Sequence, residues 1–453
     1  MSDQIHDYID RNRDRFREEL FEFLRIPSVS ARSEHNGDTR RAAEWLRDRM
    51  KAAGMDTSIE ETAGHPIVLG EWREAGDDKP TVLIYGHYDV QPVEPLDLWT
   101  SPPFEPVERD GRIYARGSVD DKGQLLLHVL ALEAHLQTTG SLPVNVVVLA
   151  EGEEEVGSKN LMPFVKEHAE RLACDYVVIS DTTMVGPGLP TIGASLRGLS
   201  YLEVKVTGPS HDLHSGSYGG AVLNPATALA RIIATFHDEN WHVTVPGFYD
   251  DVDEMADFRE AIREVPFDED EFVADTGSPK AVGEAGYSTP ERLWVRPTVE
   301  VNGMLSGYTG EGPKTVLPSW AMAKVSCRLV PSQDPKRIDR IMEDHIRDVA
   351  PDGVSIDVIR HHSGNAWRAT LGGPLYDAAA RALEQAWGRP VVYAGEGGSI
   401  PIVPEFEELL DAPVLLMGFG LPGENAHAPD EWMSAENFEK GTHASAALLT
   451  ELG

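Results

Sequence analysis

Four short stretches of the chain are almost continuously apolar and rich in β-branched residues. They are residues 81–85, 145–150, 176–180 and 413–417. Because a strand inside a parallel sheet is covered on both faces, uninterrupted apolar runs of this length are typical of buried parallel strands. The longer stretches 123–136 and 161–172 lie between them and have the pattern of helices. This alternation predicts an α/β fold with a mainly parallel sheet flanked by helices.

The pattern changes at about Gly198. Apolar and polar positions alternate in the stretches that begin at Leu199 and Ala321, as they do in half-exposed strands, and helical stretches lie between and after them. From Pro374 a helix and a buried strand return. We therefore predict a catalytic domain made of residues 1–196 and 368–453, interrupted by an inserted α+β domain, residues 197–367. The polar segment 250–290 is interpreted as a long excursion of the insert.

Composition places the chain among ordinary globular proteins. It has 453 residues, 41% hydrophobic and 25% charged, and no apolar run approaches the ~20 residues that a membrane helix needs. The formal net charge of −35 would repel phosphate groups, which argues against nucleic acid and anionic membranes as partners. A dispersed acidic surface explains the excess charge, with adaptation to high salt as the alternative.

Cysteine usage and the first residues of the chain bear on its compartment. Cys174 and Cys327 are the two cysteines, and neither lies beside another. They give no sign of thiolate zinc sites or of an oxidising compartment. The first twenty residues alternate acids and arginines and lack the apolar core of a secretory signal. We expect the protein in the cytoplasm.

Metal-type side chains follow each of the four apolar runs. In chain order they are His87 and Asp89, Glu154 and Glu155, Asp181, and His427. Ligands of open parallel sheets bind beyond the carboxyl ends of the strands, so these side chains are expected at one edge. Taken singly, a loop histidine is usually polar surface, and the acidic stretch 151–158 could be a solvated turn. Their joint placement favours a single site.

Asp120 and Asp121 directly precede the predicted helix 123–136. Alone, they would be interpreted as capping residues, since an aspartate there accepts backbone N–H bonds. Together with the other candidates they complete a set of imidazoles and carboxylates without thiolates, which suits zinc, manganese or cobalt. One carboxylate can bridge two ions ~3.5–4 Å apart. We therefore expect two divalent ions, zinc first, and a bridging water whose proton Glu154 or Glu155 accepts.

Seven motifs, in this order, resemble one known family. They are GHYDV (86–90), RGSVDDKG (116–123), EGEEEVGS (151–158), ISD (179–181), DLHSGSYGG (212–220), RLVP (328–331) and EGGSIP (396–401). The set resembles the zinc metallopeptidase family that contains cytosolic nonspecific dipeptidase, carnosinase, glutamate carboxypeptidase and aminoacylase, and it spans nearly the whole chain. The fifth and seventh motifs are most similar to the dipeptidase and carnosinase branch.

The resemblance implies a role for each metal-type residue. One ion would be held by His87, Asp120 and Asp181, and the other by Asp120, Glu155 and His427, so that Asp120 is the bridge. Asp89 would hold the imidazole of His87 in its ligating orientation. Glu154 would be the general base, and a shift of one residue to Glu153 is the alternative register.

The resemblance also implies that the insert is a lid and the contact surface of a homodimer. His214 would reach the partner's active site and stabilise the tetrahedral oxyanion, with His211 as a bystander; a turn histidine is the alternative. Arg328 would bind the substrate carboxylate, for which a planar, bidentate cation is suited. Ser399 would contact the same carboxylate from a glycine-rich loop. An ordinary strand-edge arginine and a tight turn are the alternatives for these two.

The expected activity is metal-dependent hydrolysis of the amide bond of a dipeptide, or of a short peptide with a free carboxylate. An N-acyl-amino-acid deacylase and a glutamate carboxypeptidase are the enzymatic alternatives. A non-catalytic binding protein of the same fold is a further alternative, although the chain keeps every expected ligand and the base. No GxSxG motif follows a strand, which excludes a serine hydrolase of that type.

Overall fold

The structure is a computed structural model that describes residues 2–453. Its α-helices are α1 Asp3–Leu24, α2 Asn36–Ala53, α3 Lys122–Thr139, α4 Leu161–Glu167, α5 Ala169–Leu172, α6 Ser215–Tyr218, α7 Pro225–Ile233, α8 Ala256–Glu264, α9 Glu269–Thr276, α10 Thr289–Trp294, α11 Pro335–Asp348, α12 Pro374–Trp387, α13 Ile402–Leu410 and α14 Ala435–Leu452.

Its β-strands are β1 Asp56–Glu60, β2 Ile67–Trp72, β3 Thr81–His87, β4 Val107–Arg109, β5 Arg112–Tyr114, β6 Asn145–Glu151, β7 Tyr176–Ile179, β8 Thr191–Leu196, β9 Gly198–Thr207, β10 Leu213–His214, β11 Thr298–Ser306, β12 Val316–Leu317, β13 Trp320–Leu329, β14 Ser355–Gly364, β15 Trp367–Arg368, β16 Val392–Glu396, β17 Val414–Leu416 and β18 Trp432–Ser434.

The chain divides into two compact units. The first contains the chain up to Ala194 together with Ala369–Ala394 and Ile402–Gly453, and the second contains Ser195–Arg368 and Gly395–Pro401. The predicted boundaries assigned residues 395–401 to the catalytic domain. This segment lies instead with the second unit, because the backbone and side chain of Arg197 and the side chain of Arg328 hydrogen-bond to it. The roles of the insert as a lid and a dimer contact stay predictions.

The first unit is built on a large sheet with the order β1-β2-β6-β3-β7-β17-β8. The four apolar runs form its centre: β6, β3, β7 and β17 are neighbours and run parallel to one another. Every residue of β6 is buried, as expected for a strand covered on both faces. Strands β2 and β8 continue the sheet in the antiparallel sense. The predicted α/β fold is confirmed.

Helix α3 is the centre of the helical layer of the first unit. It is apolar on all sides, and every residue from Lys122 to His135 is buried, because it packs against strand β3 and against helices α1 and α14. Gly140 ends the helix with φ 75°, a left-handed conformation that costs glycine little. Among residues 2–453, no helix combines the length and the apolar character that a membrane span requires.

The second unit contains an antiparallel sheet with the order β11-β13-β9-β14. Helices α7 and α11 pack on one face of it and bury an apolar core. The segment interpreted as a long polar excursion instead contains helices α8 and α9. Helix α8 buries Phe258 and Ile262, and the side chain of Asp268 caps α9. Phe258 and Ile262 have helical spacing, but the many acidic residues around them make the segment look uniformly polar in the sequence.

Candidate metal centre and substrate-binding residues

The parallel strands of the first unit deliver metal-type side chains to one edge of the sheet. Strand β3 ends at His87, and strand β7 ends two residues before Asp181. Strand β6 ends at Glu151 and leads into a 3₁₀ turn over Glu154–Val156. Because carboxyl ends of neighbouring parallel strands meet at the same edge, residues distant in sequence become neighbours there.

Two groups of side chains are close enough to hold a metal ion each. The first is His87, Asp120 and Asp181, and the second is Asp120, Glu155 and His427; within each group the ligand atoms lie within 4.8 Å of one another. Nε2 of His87 lies 3.1 Å from Oδ1 of Asp120, and Nε2 of His427 lies 2.8 Å from Oδ2. The two oxygens of Asp120 therefore face different histidines, the arrangement that a bridging carboxylate requires.

This donor set fits the expected ions. Each group offers one imidazole and two carboxylates, and Nε2 of His87 is 3.9 Å from Oδ2 of Asp181. Imidazole and carboxylate ligands without thiolates suit zinc and also manganese or cobalt. Open ligand positions would remain around ions held by three side chains, as catalytic sites require.

Asp120 and Asp121 are not helix caps, so that alternative is wrong. Asp121 occupies the N-cap position of α3, but no side-chain capping hydrogen bond forms there. Instead, Oδ2 of Asp121 accepts the backbone N–H of His87 at 3.1 Å, while Asp120 faces the two histidines. The pair connects the start of α3 to the end of strand β3.

Asp89 holds two parts of the cluster. The Nδ1 atom of His87 lies 3.1 Å from the backbone oxygen of Asp89 and 3.4 Å from its carboxylate. The same carboxylate accepts the backbone N–H groups of Glu154 and Glu155, each at 3.2 Å. Sequence reasoning gave Asp89 only the contact with His87. Its hydrogen bonds to the backbone of Glu154 and Glu155 were not predicted, because they join two loops that are distant in sequence.

The acidic stretch 151–158 is not a solvated turn. Glu151 is buried and accepts hydrogen bonds from the hydroxyls of Tyr85 and Ser158. The Glu155 side chain is 3% exposed, and its carboxylate accepts a 2.7 Å hydrogen bond from the amide of Gln91. Gln91 was missed in the sequence, although its position two residues after Asp89 is a usable signal.

Glu153, the alternative register for the base, is occupied elsewhere. The amide of Asn160 donates to its carboxylate at 2.6 Å, and Glu153 is in neither metal-type group. Glu154 has a raised pKa in this cluster. Burial is the largest cause, and the charges of Glu155 and Asp120 add to it, so that the pKa of Glu154 rises to about 7.

The cluster concentrates negative charge. Burial and the neighbouring Asp120 raise the pKa of Asp181 well above its usual value. Hydrogen bonds to Asp120 and Glu155 raise the pKa of His427 to about 10. Burial alone would lower the pKa of His87, but its contacts with Asp120 and other carboxylates raise it well above the usual value. These raised pKa values mean that, without metal ions, bound protons offset the negative charge of the carboxylates. Divalent cations would supply the same positive charge.

The second unit brings Arg328 and Ser399 together. Nη1 of Arg328 donates to the Ser399 hydroxyl at 2.8 Å, and that hydroxyl donates to the backbone oxygen of Arg197. Nε of Arg197 donates to the backbone oxygen of Gly397 at 2.9 Å. Arg328 and Arg197 line one cavity, and burial together with the charge of Arg328 lowers the pKa of Arg197 to about 10. Sequence reasoning missed Arg197; its position just before strand β9 was the available signal.

His214 ends the short strand β10 and is exposed. Its Nδ1 atom accepts the backbone N–H of Gly216 at 3.0 Å, and His214 is in neither metal-type group of the described residues. His211 is also exposed, and its Nδ1 lies 3.0 Å from the hydroxyl of Ser210.

Comparisons with known proteins agree with this geometry. Residues 83–451 match the family described as peptidase family M20/M25/M40. A Cys-Gly metallodipeptidase of Schizosaccharomyces pombe is 32% identical over 99% of this chain and 98% of its own. Human carnosine dipeptidase 1 has a TM-score of 0.87 and 28% identity, over 99% of this chain and 98% of that chain.

A third similar protein is an M20 family metallo-carboxypeptidase from Sulfolobus solfataricus. Its TM-score is 0.85 and its identity 32%, over 100% of this chain and 99% of that chain. It is described as a carboxypeptidase, whereas the other two are described as dipeptidases. The family match covers most of the chain and includes all the metal-type residues described above. This chain is therefore a metallopeptidase that belongs to peptidase family M20/M25/M40.

Proposed function

We propose that this protein hydrolyses the amide bond of dipeptides, using two divalent ions bound at the edge of the parallel sheet. The observation that carries the proposal is the pair of three-residue groups that share Asp120. His87 and Asp181 would complete the first ion's ligands, and Glu155 and His427 the second's. Similar proteins include a Cys-Gly metallodipeptidase and a carnosine dipeptidase, which favours dipeptides as substrates.

Zinc is the proposed ion, with manganese and cobalt as alternatives that the same ligands accept. When bound, such ions lower the pKa of water and polarise a carbonyl group, which is the chemistry of two-metal hydrolases. The buried His87 and the half-enclosed Asp120 suit ions that are held by the protein and remain open to a substrate on one side.

Glu154 is the proposed general base. Its backbone is fixed by Asp89, next to the ligand Glu155, so its carboxylate is positioned by the same contact that orients the turn. A carboxylate oxygen of Glu154 would accept the proton of the attacking water and then donate it to the nitrogen of the departing amine. Glu153 is bound to Asn160, which argues against the shifted register.

His214 is proposed to donate a hydrogen bond to the oxyanion. Since its Nδ1 accepts the N–H of Gly216, the neutral ring carries its proton on Nε2. That nitrogen is exposed and is a donor, as oxyanion stabilisation requires. Arg328 and Ser399 are proposed to bind the substrate carboxylate, with two N–H groups of Arg328 as donors and with the Ser399 hydroxyl turned from the backbone oxygen of Arg197 toward the carboxylate.

A cytoplasmic homodimer is the proposed form of the protein. Strand β11 is an edge of the sheet in the second unit, and it exposes Val301, Met304 and Leu305. An exposed apolar edge strand is open to pairing with another chain. The dimer is proposed to be the form in which His214 of one protomer acts on a partner's substrate.

The test is a substrate panel with the purified protein. The protein is stripped with a chelator, reloaded with zinc, manganese or cobalt, and given free dipeptides, longer peptides with free carboxyl ends, and N-acetyl amino acids. Metal-restored cleavage of the dipeptides is the expected result. Release of only the C-terminal residue from longer peptides would favour a carboxypeptidase, as the Sulfolobus relative suggests. Release of acetate would favour a deacylase, and inactivity would favour a binding protein.

A further inference from the structure

A buried ion pair, Arg116 with Glu431, lies beside the metal-type residues of the first unit. The guanidinium Nη1 of Arg116 donates to Oε2 of Glu431 at 2.7 Å, with side chains 1% and 0% exposed. Neither residue is in the two groups that can hold an ion, and the proposed mechanism gives neither of them a role. The pair therefore needs its own explanation.

The carboxylate of Glu431 binds the backbone that carries Asp120. Oε2 also accepts the N–H of Gly117 at 3.0 Å, and Oε1 accepts the N–H groups of Val119 at 3.1 Å and Asp120 at 3.3 Å. These backbone groups point at one carboxylate and so define the path of the loop.

Glu431 also belongs to the loop of a second metal-type residue, because it follows His427 by four positions. One side chain thus connects the loop of the bridging aspartate to the loop of a histidine from the opposite end of the chain. His427 has φ 64° and Asp430 has φ 56°, left-handed conformations that are uncommon for residues other than glycine. Such a loop needs tertiary contacts to keep its shape.

Arg116 extends the connection to a third loop. Its Nη2 donates to the backbone oxygen of Pro92 at 3.1 Å, in the segment that follows His87 and Asp89. The pair therefore contacts the three loops that carry His87, Asp120 and His427. Buried ion pairs add little net stability, because desolvation of both charges offsets their attraction. Such a pair is better suited to holding several loops in one fixed arrangement.

We propose that Arg116 and Glu431 are positioning residues that set the distance between Asp120 and His427, and thereby the affinity of the site for its second ion. This inference rests on the proposed two-ion function. Loss of hydrogen-bonded groups behind metal ligands typically lowers metal affinity about 10–100-fold. A loss of that size is expected here for the ion held by Asp120, Glu155 and His427, and a smaller loss for the ion held by His87, Asp120 and Asp181, because Asp120 belongs to both groups.

The test is Glu431→Gln, with Glu424→Gln as the matched control. The amide of glutamine points a donor at N–H groups that need an acceptor, so the Asp120 loop should loosen. Glu424 is buried in the same segment, but its carboxylate accepts the N–H groups of Leu421 and Ser434, outside the Asp120 loop. Both variants lose a buried carboxylate, and only the first loses the connection to Asp120.

The readout is zinc bound per chain at a series of buffered free zinc concentrations, measured beside the thermal unfolding midpoint. Glu431→Gln is expected to bind both ions more weakly, because Asp120 is a proposed ligand of both; the ion held by Asp120, Glu155 and His427 should lose about 10–100-fold in affinity and the other ion less. Glu424→Gln is expected to lower the unfolding midpoint alone. Equal metal binding in wild type and Glu431→Gln would overturn the inference. A wild-type protein that binds no second ion would overturn the proposed function itself.

Arg116→Lys is the second variant, and it tests the positioning role of the ion pair if Glu431→Gln does not fold. Lysine keeps the positive charge, but its three donors lie on a single nitrogen, so it cannot span Glu431 and the backbone oxygen of Pro92 as Nη1 and Nη2 of the guanidinium do. A smaller loss of affinity for the same ion is expected, together with a lower kcat at saturating zinc and an unchanged KM. Unchanged zinc binding in folded Arg116→Lys would overturn the inference as well.

Discussion

The proposed metal ligands and the proposed substrate-contacting residues differ in how their side chains are held within each unit. In the first unit, His87, Asp120 and Glu155 are buried or nearly so, and each contacts another member of the cluster. In the second unit, Arg328 and Ser399 contact each other, whereas the exposed side chain of His214 hydrogen-bonds to its own turn. The proposed metal ligands thus form one cluster, while the proposed carboxylate-binding pair and the proposed oxyanion donor each have contacts of their own.

This difference follows from what each set of residues must do. Metal ligands need fixed distances, and a parallel sheet supplies them because its strand ends are rigid and adjacent. Residues that bind a substrate must let it enter and leave, so they are placed on loops and at the ends of short strands. Substitutions in the first unit should therefore change kcat, and substitutions around Arg328 should change KM.

The largest effect is expected from Glu154→Gln. Glutamine keeps the size of the side chain but cannot accept the proton, so kcat should fall by about 10³-fold. Both ions should remain bound, because Glu154 is in neither ligand group. Steady-state kinetics with metal analysis on the same sample tests this.

Glu153→Gln is the matched control for that variant. Its carboxylate binds Asn160, so kcat should stay near the wild-type value. If Glu153→Gln were inactive and Glu154→Gln active, the register of the motif would be shifted by one residue. The comparison of the two variants thus separates the base from its neighbour in sequence.

His214→Ala should lower kcat by about 10²–10³-fold, the usual cost of an oxyanion donor. If the histidine acts on a partner protomer, mixing this variant with Glu154→Gln should restore activity. Each mixed dimer then has one site with both an intact base and an intact histidine. The measurement is activity after the two inactive variants are unfolded and refolded together. Recovery would fail if His214 served its own chain, and the recognition residues would then be complete within one protomer.

Arg328→Met should act mainly through KM. Loss of a charged hydrogen bond costs about 1.5–3 kcal/mol, which is about 10–150-fold in kcat/KM. A dipeptide amide, which lacks the carboxylate, should bind wild-type protein as weakly as the free dipeptide binds the variant. Hydrolysis of both substrates by both proteins tests this. If the variant also discriminated between the substrates, another cation would bind the carboxylate, and Arg197 lines the same cavity.

Sequence reasoning reached the first unit more fully than the second. The four apolar runs became four adjacent parallel strands, because burial on both faces leaves a pattern that is local in sequence. The second carboxylate contact of Asp89, the amide of Gln91 and the Arg116–Glu431 pair were not predicted, because each joins loops whose meeting depends on the assembled fold. Helix α8 was missed because acids outnumber its two buried apolar residues, and α9 was missed because it buries none and begins with three acids.

The smallest effect on activity is expected from Glu284→Gln in the second unit. Nε and Nη2 of Arg296 each donate to Glu284 at 2.7 Å. Burial acts to raise the pKa of Glu284, but this ion pair outweighs it and lowers the pKa. Because the pKa is lowered in the folded state, the ionised carboxylate stabilises the fold at pH values above about 4.3, which is the pKa of glutamate in an unfolded chain. That contribution, about 2 kcal/mol, is lost as the pH falls through the lowered pKa.

The difference in the free energy of unfolding between wild type and Glu284→Gln should therefore be at its maximum at pH 6 and should shrink below pH ~4. Hydrogen–deuterium exchange of amides in β11 and β13 measures it locally, where a global unfolding curve would average two units. Zinc binding in the first unit should be unchanged at pH 6, since the proposed zinc ligands share no contact with Glu284.

A difference in stability that does not depend on pH would mean that Glu284 acts through packing alone. A parallel loss of zinc would mean that the two units unfold together, and the contrast between an assembled metal centre and a separate recognition unit would no longer hold.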